Sequence, residues 1–432
     1  MMSHDVYFKR RQRVLQAMSE GIAIVHAAPE QRRSNDTYYP YRQDSYFYYL
    51  TGFNEPGAVL LLNALDQTAL LFCRDKHPEQ EIWEGFRYGP EAAADAFGFE
   101  YAYSIADFDS VAHACISNSP SLYALWGLYP EQDQALMALW QSVKAESWHN
   151  VQAPKALMDL GVILDNMRLI KDSHEVALLK QAAKISALAH VAAMRAAKPG
   201  LFEYQLEAEL LHTFVQHGAR SPAYESIVAS GKNACVLHYV SNNAQLQDGE
   251  LVMIDAGAEF GSYAGDISRT FPVNGKFNDA QRDVYEIVLA AQLAAIKSIK
   301  AKVSWQSVND VALNILVQGL IDLKLLQGSV QSNIEQQSYR RFYMHGLGHW
   351  VGLDVHDVGG RHRSGKPILL KEGMCTTVEP GLYIPGDADI PEHFRHMGIR
   401  IEDNVLVTDS GCVVYTADVP KNIADIEDIM QG

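Results

Sequence analysis

Four carboxylates stand where a globular chain rarely tolerates them. Asp255 closes the apolar run Leu251-Val252-Met253-Ile254, and Asp266 sits in Tyr263-Ala264-Gly265-Asp266-Ile267-Ser268. Glu379 ends Thr376-Thr377-Val378-Glu379, and Glu402 lies in Gly398-Ile399-Arg400-Ile401-Glu402-Asp403. Charged groups inside Ile/Val-rich strands are disfavoured unless something compensates them. A tight turn at Phe260-Gly261 sets Asp255 directly opposite Asp266 across an antiparallel hairpin, with Cβ atoms roughly 4.5–5.5 Å apart. Like charges that close raise one carboxylate's pKa unless a cation lies between them. Taken alone, the two aspartates fit equally well as turn and strand-edge residues facing water. With the glutamates added, the four negative charges match two divalent cations and exceed one.

A fifth donor is on offer in His345-Gly346-Leu347-Gly348-His349-Trp350-Val351-Gly352-Leu353-Asp354-Val355-His356-Asp357. A lone histidine is more often a core or surface residue than a ligand. Here three fall close together, and glycines at 346, 348 and 352 let the backbone turn tightly enough to bring imidazoles to a site. Oxygen donors with one nitrogen and no thiolate suit hard or borderline ions such as Mn²⁺, Co²⁺ or Mg²⁺ rather than a structural zinc. Two such ions ~3.5–4 Å apart activate a shared water and clamp a developing oxyanion.

Something must carry these residues to one place. The segment Asp248-Gly249 followed by Asp255-Ala256-Gly257 has the spacing of Glu372-Gly373 followed by Glu379-Pro380-Gly381. This weak internal repeat, each copy preceded by helices (201–218 and 305–326), would bring two acid-bearing sheets face to face. Asp172-Ser173-His174-Glu175 is a capping box that opens a long helical run ending at Lys198-Pro199-Gly200. Asn278 caps another helix over 279–300. Before residue 165 the runs are short and β-rich: 21–25, 58–62, 68–72 and 121–125, with 58–62 and 68–72 spaced as a hairpin. The change of character places a domain boundary at 165–172, with domains 1–168 and 169–432.

Composition narrows the rest. The chain has 432 residues, 48% hydrophobic and 20% charged, with a formal net charge of −16. Such an acidic chain without a basic run argues against nucleic acid or an anionic membrane as partner. No uninterrupted apolar run approaches the ~18 residues that span a bilayer, and the start of the chain lacks the apolar core of a signal peptide. Cysteines 73, 115, 235, 375 and 412 are scattered and contain no C-x-x-C pair, as expected of reduced thiols in a cytoplasmic protein. The acidic run 420–432 reads as a solvated tail.

At these residues the chain resembles the Xaa-Pro aminopeptidase (aminopeptidase P) branch of the pita-bread metallopeptidase family. The matching segments are IDAGAEFGSYAGDISRTFPVNGKF, HGLGHWVGLDVHDVG, TVEPGLYI and GIRIEDNVLVT, with NDTYYPYRQDSYFYYLTGFNEPGAVLLL in the first half. The resemblance implies an α/β (α+β) protein: an N-terminal mixed-sheet α/β domain, then a pseudo-twofold pita-bread catalytic domain. It implies Asp255, Asp266, His349, Glu379 and Glu402 as ligands of two ions per subunit, usually Mn²⁺ (Co²⁺ or Zn²⁺ possible), with Glu379 also the general base. It implies catalytic or substrate-binding roles for His238, His345, His356 and Arg400, and substrate contacts from Tyr383 and Asp36. Trp83, in EIWEGFRYGP, matches a tryptophan that a neighbouring subunit contributes, which implies a homo-oligomer, tetramer or dimer. The substrate would be a peptide with proline second. Prolidase shares the ligands but cleaves X-Pro dipeptides; methionine aminopeptidase shares the fold, usually without so large an N-terminal domain. A metal-free binding module of the same fold predicts replaced ligands, and all five are present.

Overall fold

The structure, a computed structural model, describes residues 4–363 and 365–431. Its internal contacts divide it into two compact units, Met1–Met167 and Arg168–Gly432.

The first unit is built on a six-stranded mixed sheet in the order Tyr101–Ser104, Thr68–Cys73, Val59–Asn63, Ile22–His26, Ser121–Ala124, Ala156–Asp159. Val59–Asn63 is antiparallel to both its neighbours, and the other three pairs are parallel. Alternate residues Ile22, Ile24, Val59, Leu61, Phe72 and Leu122 share one buried face with Ala112, Ile116, Leu136 and Val143. The hairpin expected at 58–62 and 68–72 forms, one residue later at its first strand.

The second unit repeats one motif. Helices Ser173–Ala196 and Glu203–Gln216 precede a sheet of Ile227–Ser230, Leu251–Asp255 and Ser268–Pro272. Helices Asp279–Ser298 and Trp305–Asp322 precede a sheet of Cys375–Val378, Asp403–Val407 and Cys412–Val414. Capping boxes at Asp172/Glu175 and Asn278/Gln281 start two of the helices as their sequences require. The two halves meet where Glu402 N donates to Ser268 O (3.0 Å) and Arg400 N donates to Thr270 Oγ1 (3.1 Å).

Helix Ser173–Ala196 is, among the described residues, the one helix long and apolar enough by length and composition to cross a membrane, and half of its apolar window is buried. Lys180 and Lys184 interrupt it, so no uninterrupted run reaches that length. Its polar face is used internally. Ser186 Oγ accepts from Ala258 N at 2.9 Å, His190 Nε2 lies 2.9 Å from Ala256 O, and Tyr263 Oη donates to Glu175 Oε1 at 3.1 Å. The helix therefore presses on the backbone of the aspartate hairpin. A Cβ at Gly257 would sit 1.7 Å from Gly265 O, and one at Gly265 would sit 2.5 Å from Ser186 Oγ.

Two expectations need correction. The hairpin turn is at Gly261-Ser262, one residue beyond Phe260-Gly261, so Asp255 pairs with Ser268 and not with Asp266. Gly261 and Ser262 both take positive φ (57° and 68°), as a two-residue hairpin turn demands. The expected register would have forced that conformation on Phe260, where a bulky side chain is strained. A shift of two keeps the face, so Asp266 still points the right way. The segment 420–432 is no free tail: Ile423–Gln431 is a helix with Ile423 and Ile426 buried, and Glu427 accepts from Phe277 N at 3.0 Å. Just before it, the Val419 and Pro420 carbonyls and Lys421 complete a buried cage around Arg269 and Asp403. Arg269 also donates to Glu402 O, and Asp403 accepts from Arg269 (2.8 Å) and Lys421 (2.6 Å).

Ile426→Ala should lower the stability of the protein by about 2–5 kcal/mol, read from the urea midpoint, because it opens a cavity in a filled core. A solvated tail would give no change.

Candidate active site

The second unit contains a cavity of about 420 Å³ whose lining includes Asp255, Asp266, His349, Glu379 and Glu402. Asp255 ends its strand, and Asp266 follows the hairpin as the chain re-enters the same sheet. Glu379 and Glu402 follow strands Cys375–Val378 and Met397–Arg400 of the other half. Ligand atoms of Asp266, His349 and Glu402 all lie within 4.8 Å of one another.

Each acid is held by neighbours. The Tyr224 hydroxyl lies 2.6 Å from Asp255 Oδ1 and 2.5 Å from Asp266 Oδ1. Arg400 Nη2 donates to Asp255 Oδ2 at 2.7 Å, Asp266 N donates to Asn404 Oδ1 at 2.9 Å, and Ser268 Oγ donates to Glu402 Oε2 at 2.8 Å. Thr377 Oγ1 donates to Glu379 Oε1 at 3.2 Å and accepts from His349 N at 2.9 Å. His349 Nε2 lies 3.2 Å from Asp266 Oδ2 and 3.5 Å from Glu379 Oε1, and its Nδ1 donates to Trp350 O at 2.9 Å. Fixing Nδ1 this way turns Nε2 towards the acids, the arrangement of a metal-binding imidazole.

A second chain of bonds sets His345. Its Nδ1 donates to Gly346 O (2.8 Å), which leaves Nε2 to accept from Tyr383 Oη (2.8 Å), which in turn accepts from Arg400 Nη1 (2.9 Å). Burial, then Arg400, lowers His345 to about 4, so it stays neutral. His356 packs edge-on against His349 at 4.4 Å between ring centroids, and His238 lines the same cavity. The loop between His349 and His356 is pinned at its neck. Asp357 N donates to Trp350 O (2.9 Å), and the buried Asp357 carboxylate accepts from Arg168 and Lys171, both at 2.6 Å. The loop of His238 hangs from buried Glu203, which accepts from Ser230 N (2.7 Å), Tyr239 Oη (2.8 Å) and Ala244 N (2.9 Å).

Protonation reports the crowding of charge. Burial raises Glu379 to about 7, with Asp266 and Asp255 adding to it and His349 and Arg400 opposing. Burial also pushes Glu402 well up, helped by Asp266, Glu379 and Asp255. Burial would lower His349, but its bond to Asp266 and the charges of Asp266 and Glu379 win and raise it to about 9. A cluster that draws protons in this way is short of positive charge, and the donor set of four carboxylates and one imidazole fits divalent cations.

Of the residues singled out in the sequence, Asp255, Asp266, His349, Glu379, Glu402, His238, His345, His356 and Arg400 line one cavity, and Tyr383 braces two of them from behind. Asp36 and Trp83 belong to the first unit. Asp36 is in an exposed turn between Arg32–Ser34 and Thr37–Tyr38, and Trp83 is 89% exposed on helix Pro78–Glu84. Tyr224, Thr377, Ser268 and Asn404 were missed. Thr377 and Ser268 stand two residues from Glu379 and Asp266, so strand alternation puts them on the acids' face. Asn404 stands two residues from Glu402 in the same way, and Tyr224 carries no such signal.

Residues 177–409 match the model of metallopeptidase family M24, and residues 7–123 match that of the aminopeptidase P N-terminal domain. The chain is 48% identical over 429 residues to an Xaa-Pro aminopeptidase of Haemophilus influenzae, covering 99% of this chain and 97% of the relative. It is 43% identical over 435 residues to that of Escherichia coli, covering 99% and 98%. Among solved structures, proline aminopeptidase P II from Yersinia pestis aligns with a TM-score of 0.97 at 45% identity, covering 100% of both chains. A Zn-substituted E. coli aminopeptidase P in complex with product aligns at 0.97 and 42% identity, covering 100% of this chain and 98% of that one.

The shifts give the metal-free protein a definite pH response. Glu379, raised from 4.5 to about 7, contributes stability that is complete below about pH 4.5 and lost as pH rises through 7. His349, raised from 6.5 to about 9, contributes stability that is lost as pH rises through 9. The thermal midpoint of chelated protein should therefore fall between pH 5 and 9, and added Mn²⁺ should raise it more at the alkaline end. A midpoint independent of pH and of metal would contradict the charge deficit.

Proposed function

We propose, for a chain that belongs to metallopeptidase family M24, that the five-ligand cluster holds two Mn²⁺ ions per subunit, with Co²⁺ or Zn²⁺ as substitutes, in a cytoplasmic homo-oligomer. The protein is a metallo-aminopeptidase that removes the N-terminal residue next to a penultimate proline. The prolidase alternative lacks the support that the named relatives give to this reading. The observation that carries it is the convergence of Asp266, His349 and Glu402 within 4.8 Å in a cavity that Asp255 and Glu379 also line. Residues 169–432 make the catalytic domain and 1–168 a separate domain.

Bound divalent cations supply Lewis acidity, lowering the pKa of water and neutralising a developing oxyanion. The side chains do the rest. Asp255, Asp266, His349, Glu379 and Glu402 hold the charge in place, and Ser268, Thr377, Tyr224 and Asn404 orient them. Glu379 takes a proton from the attacking water and delivers it to the proline nitrogen, which leaves as a secondary amine and needs an acid. His238 and His356, on the cavity wall, donate hydrogen bonds to the carbonyl oxygen as its charge grows. Arg400 keeps its charge beside Asp255 and fixes Tyr383 and His345. Ile227, Leu237, Val240 and Val355 give the cavity an apolar wall suited to a proline ring.

In this reading Asp36 contacts substrate, and Trp83 does so from a neighbouring subunit. Support comes from the apolar cluster of Ile82, Trp83 and Phe86, exposed by 81%, 89% and 65%. The five cysteines are free, in keeping with a reducing compartment.

Asp255→Ala and Glu402→Ala should each lower bound metal and reduce turnover by several orders of magnitude, read by elemental analysis and peptide hydrolysis. Full turnover with normal metal content would sink the assignment. Wild-type protein should cleave an X-Pro-Y peptide well and Gly-Pro poorly; the reverse would favour prolidase.

A further inference from the structure

His349 is the one nitrogen donor of the five-residue cluster, and its backbone is gripped from one side by strand Cys375–Val378 and the residue after it. Leu347 O accepts from Glu379 N (2.8 Å), and His349 O accepts from Thr377 N (2.9 Å) and Thr376 Oγ1 (2.7 Å). The two segments lie so close that a Cβ on Gly348 would meet Thr377 O at 2.2 Å. The carbonyl between the two gripped ones, that of Gly348, has a different partner. It accepts from the guanidinium of Arg361. Gly348 and His349 line the cavity, whereas Arg361 stands behind that wall.

Arg361 also reaches the residue on the other side of His349. Its guanidinium carbon lies 5.5 Å from the ring centre of Trp350 and 4.5 Å from that of Trp305, the first residue of helix Trp305–Asp322. Both indoles are buried, with their ring centres 6.1 Å apart. A cation set over indole faces is attracted by the ring quadrupole. Burial lowers Arg361 to about 10 and the charge of Glu379 opposes that, so the side chain is a cation at neutral pH. Trp350 O in turn accepts from His349 Nδ1 and from Asp357 N, each at 2.9 Å. One guanidinium thus fastens the carbonyl before His349 and the ring of the residue after it.

We propose that Arg361 is a positioning residue for the metal centre: by fixing Gly348 and Trp350 it holds His349 Nε2 towards the acids and tightens one of the two bound ions. The proposal rests on the reading of the cluster as a two-ion site. Groups that orient a metal-binding imidazole typically change metal affinity by about 10–100-fold when removed.

The test titrates chelated full-length protein with Mn²⁺, counting free ion by electron paramagnetic resonance, in the wild type, Arg361→Met and Arg361→Lys. Methionine keeps an unbranched stem against the indoles and removes the N–H donors. Lysine keeps a cation that can donate, without the planar fork. One of the two ions should bind about tenfold more weakly to Arg361→Met with the other unchanged, and about threefold more weakly to Arg361→Lys. The lysine variant carries the test by itself if methionine is not tolerated. With excess Mn²⁺, Arg361→Met should cleave an X-Pro-Y peptide with kcat and KM near those of the wild type, because Arg361 acts through His349. Equal affinities in all three proteins would overturn the proposal. So would an equal weakening of both ions, a lysine variant no better than the methionine one, or a loss of turnover that saturating metal does not restore. Wild-type protein that binds fewer than two ions would bring down the two-ion reading, and this proposal with it.

Discussion

Four carboxylates that converge out of water repel one another, and the catalytic unit is organised around that repulsion. Asp255 and Asp266 come from one half of the repeat, and Glu379 and Glu402 from the other. Where the halves touch, the acids are not spread apart. They are bridged by Tyr224, Ser268 and Thr377, and countered by Arg400 and His349. Hydrogen bonds orient the acids but leave most of the charge standing, as the upward shifts of Glu379 and Glu402 record. Cations complete what the side chains begin.

The histidines depend on a different force. His349 and His356 flank a loop whose neck is closed by Asp357, and that carboxylate is buried against Arg168 and Lys171 from the segment before helix Ser173–Ala196. Their attraction overcomes burial and holds Asp357 below the usual carboxylate range, so the clamp stays charged. Gly352 is part of the same joint, since a Cβ there would meet Asp357 Oδ2 at 2.2 Å. Imidazole spacing is thus set by an ion pair remote in sequence.

Local rules read well from the residues, and long-range ones did not. The capping boxes at Asp172 and Asn278 are written in side chains close to the helix starts. The repeat of acid, glycine and strand was legible because each copy is contiguous. Which carboxylate faces which was misread, since the register turned on the cost of a positive φ at Phe260, against Ser262, and not on the acids themselves. The 420–432 segment looked solvated because its acidic residues dominate a short window, while Ile423 and Ile426 find their apolar partners elsewhere in the chain. Tyr224 sits among no motif, and only the fold brings its hydroxyl between two aspartates.

The cage around Arg269 ties the acid cluster to a segment well beyond it in the chain. Arg269 grips the Glu402 carbonyl, and its own charge is satisfied by Asp403 together with backbone oxygens of Val419 and Pro420. A change at Val419, Pro420 or Lys421, none of which lines the cavity, therefore reaches the acid cluster through the backbone of Glu402.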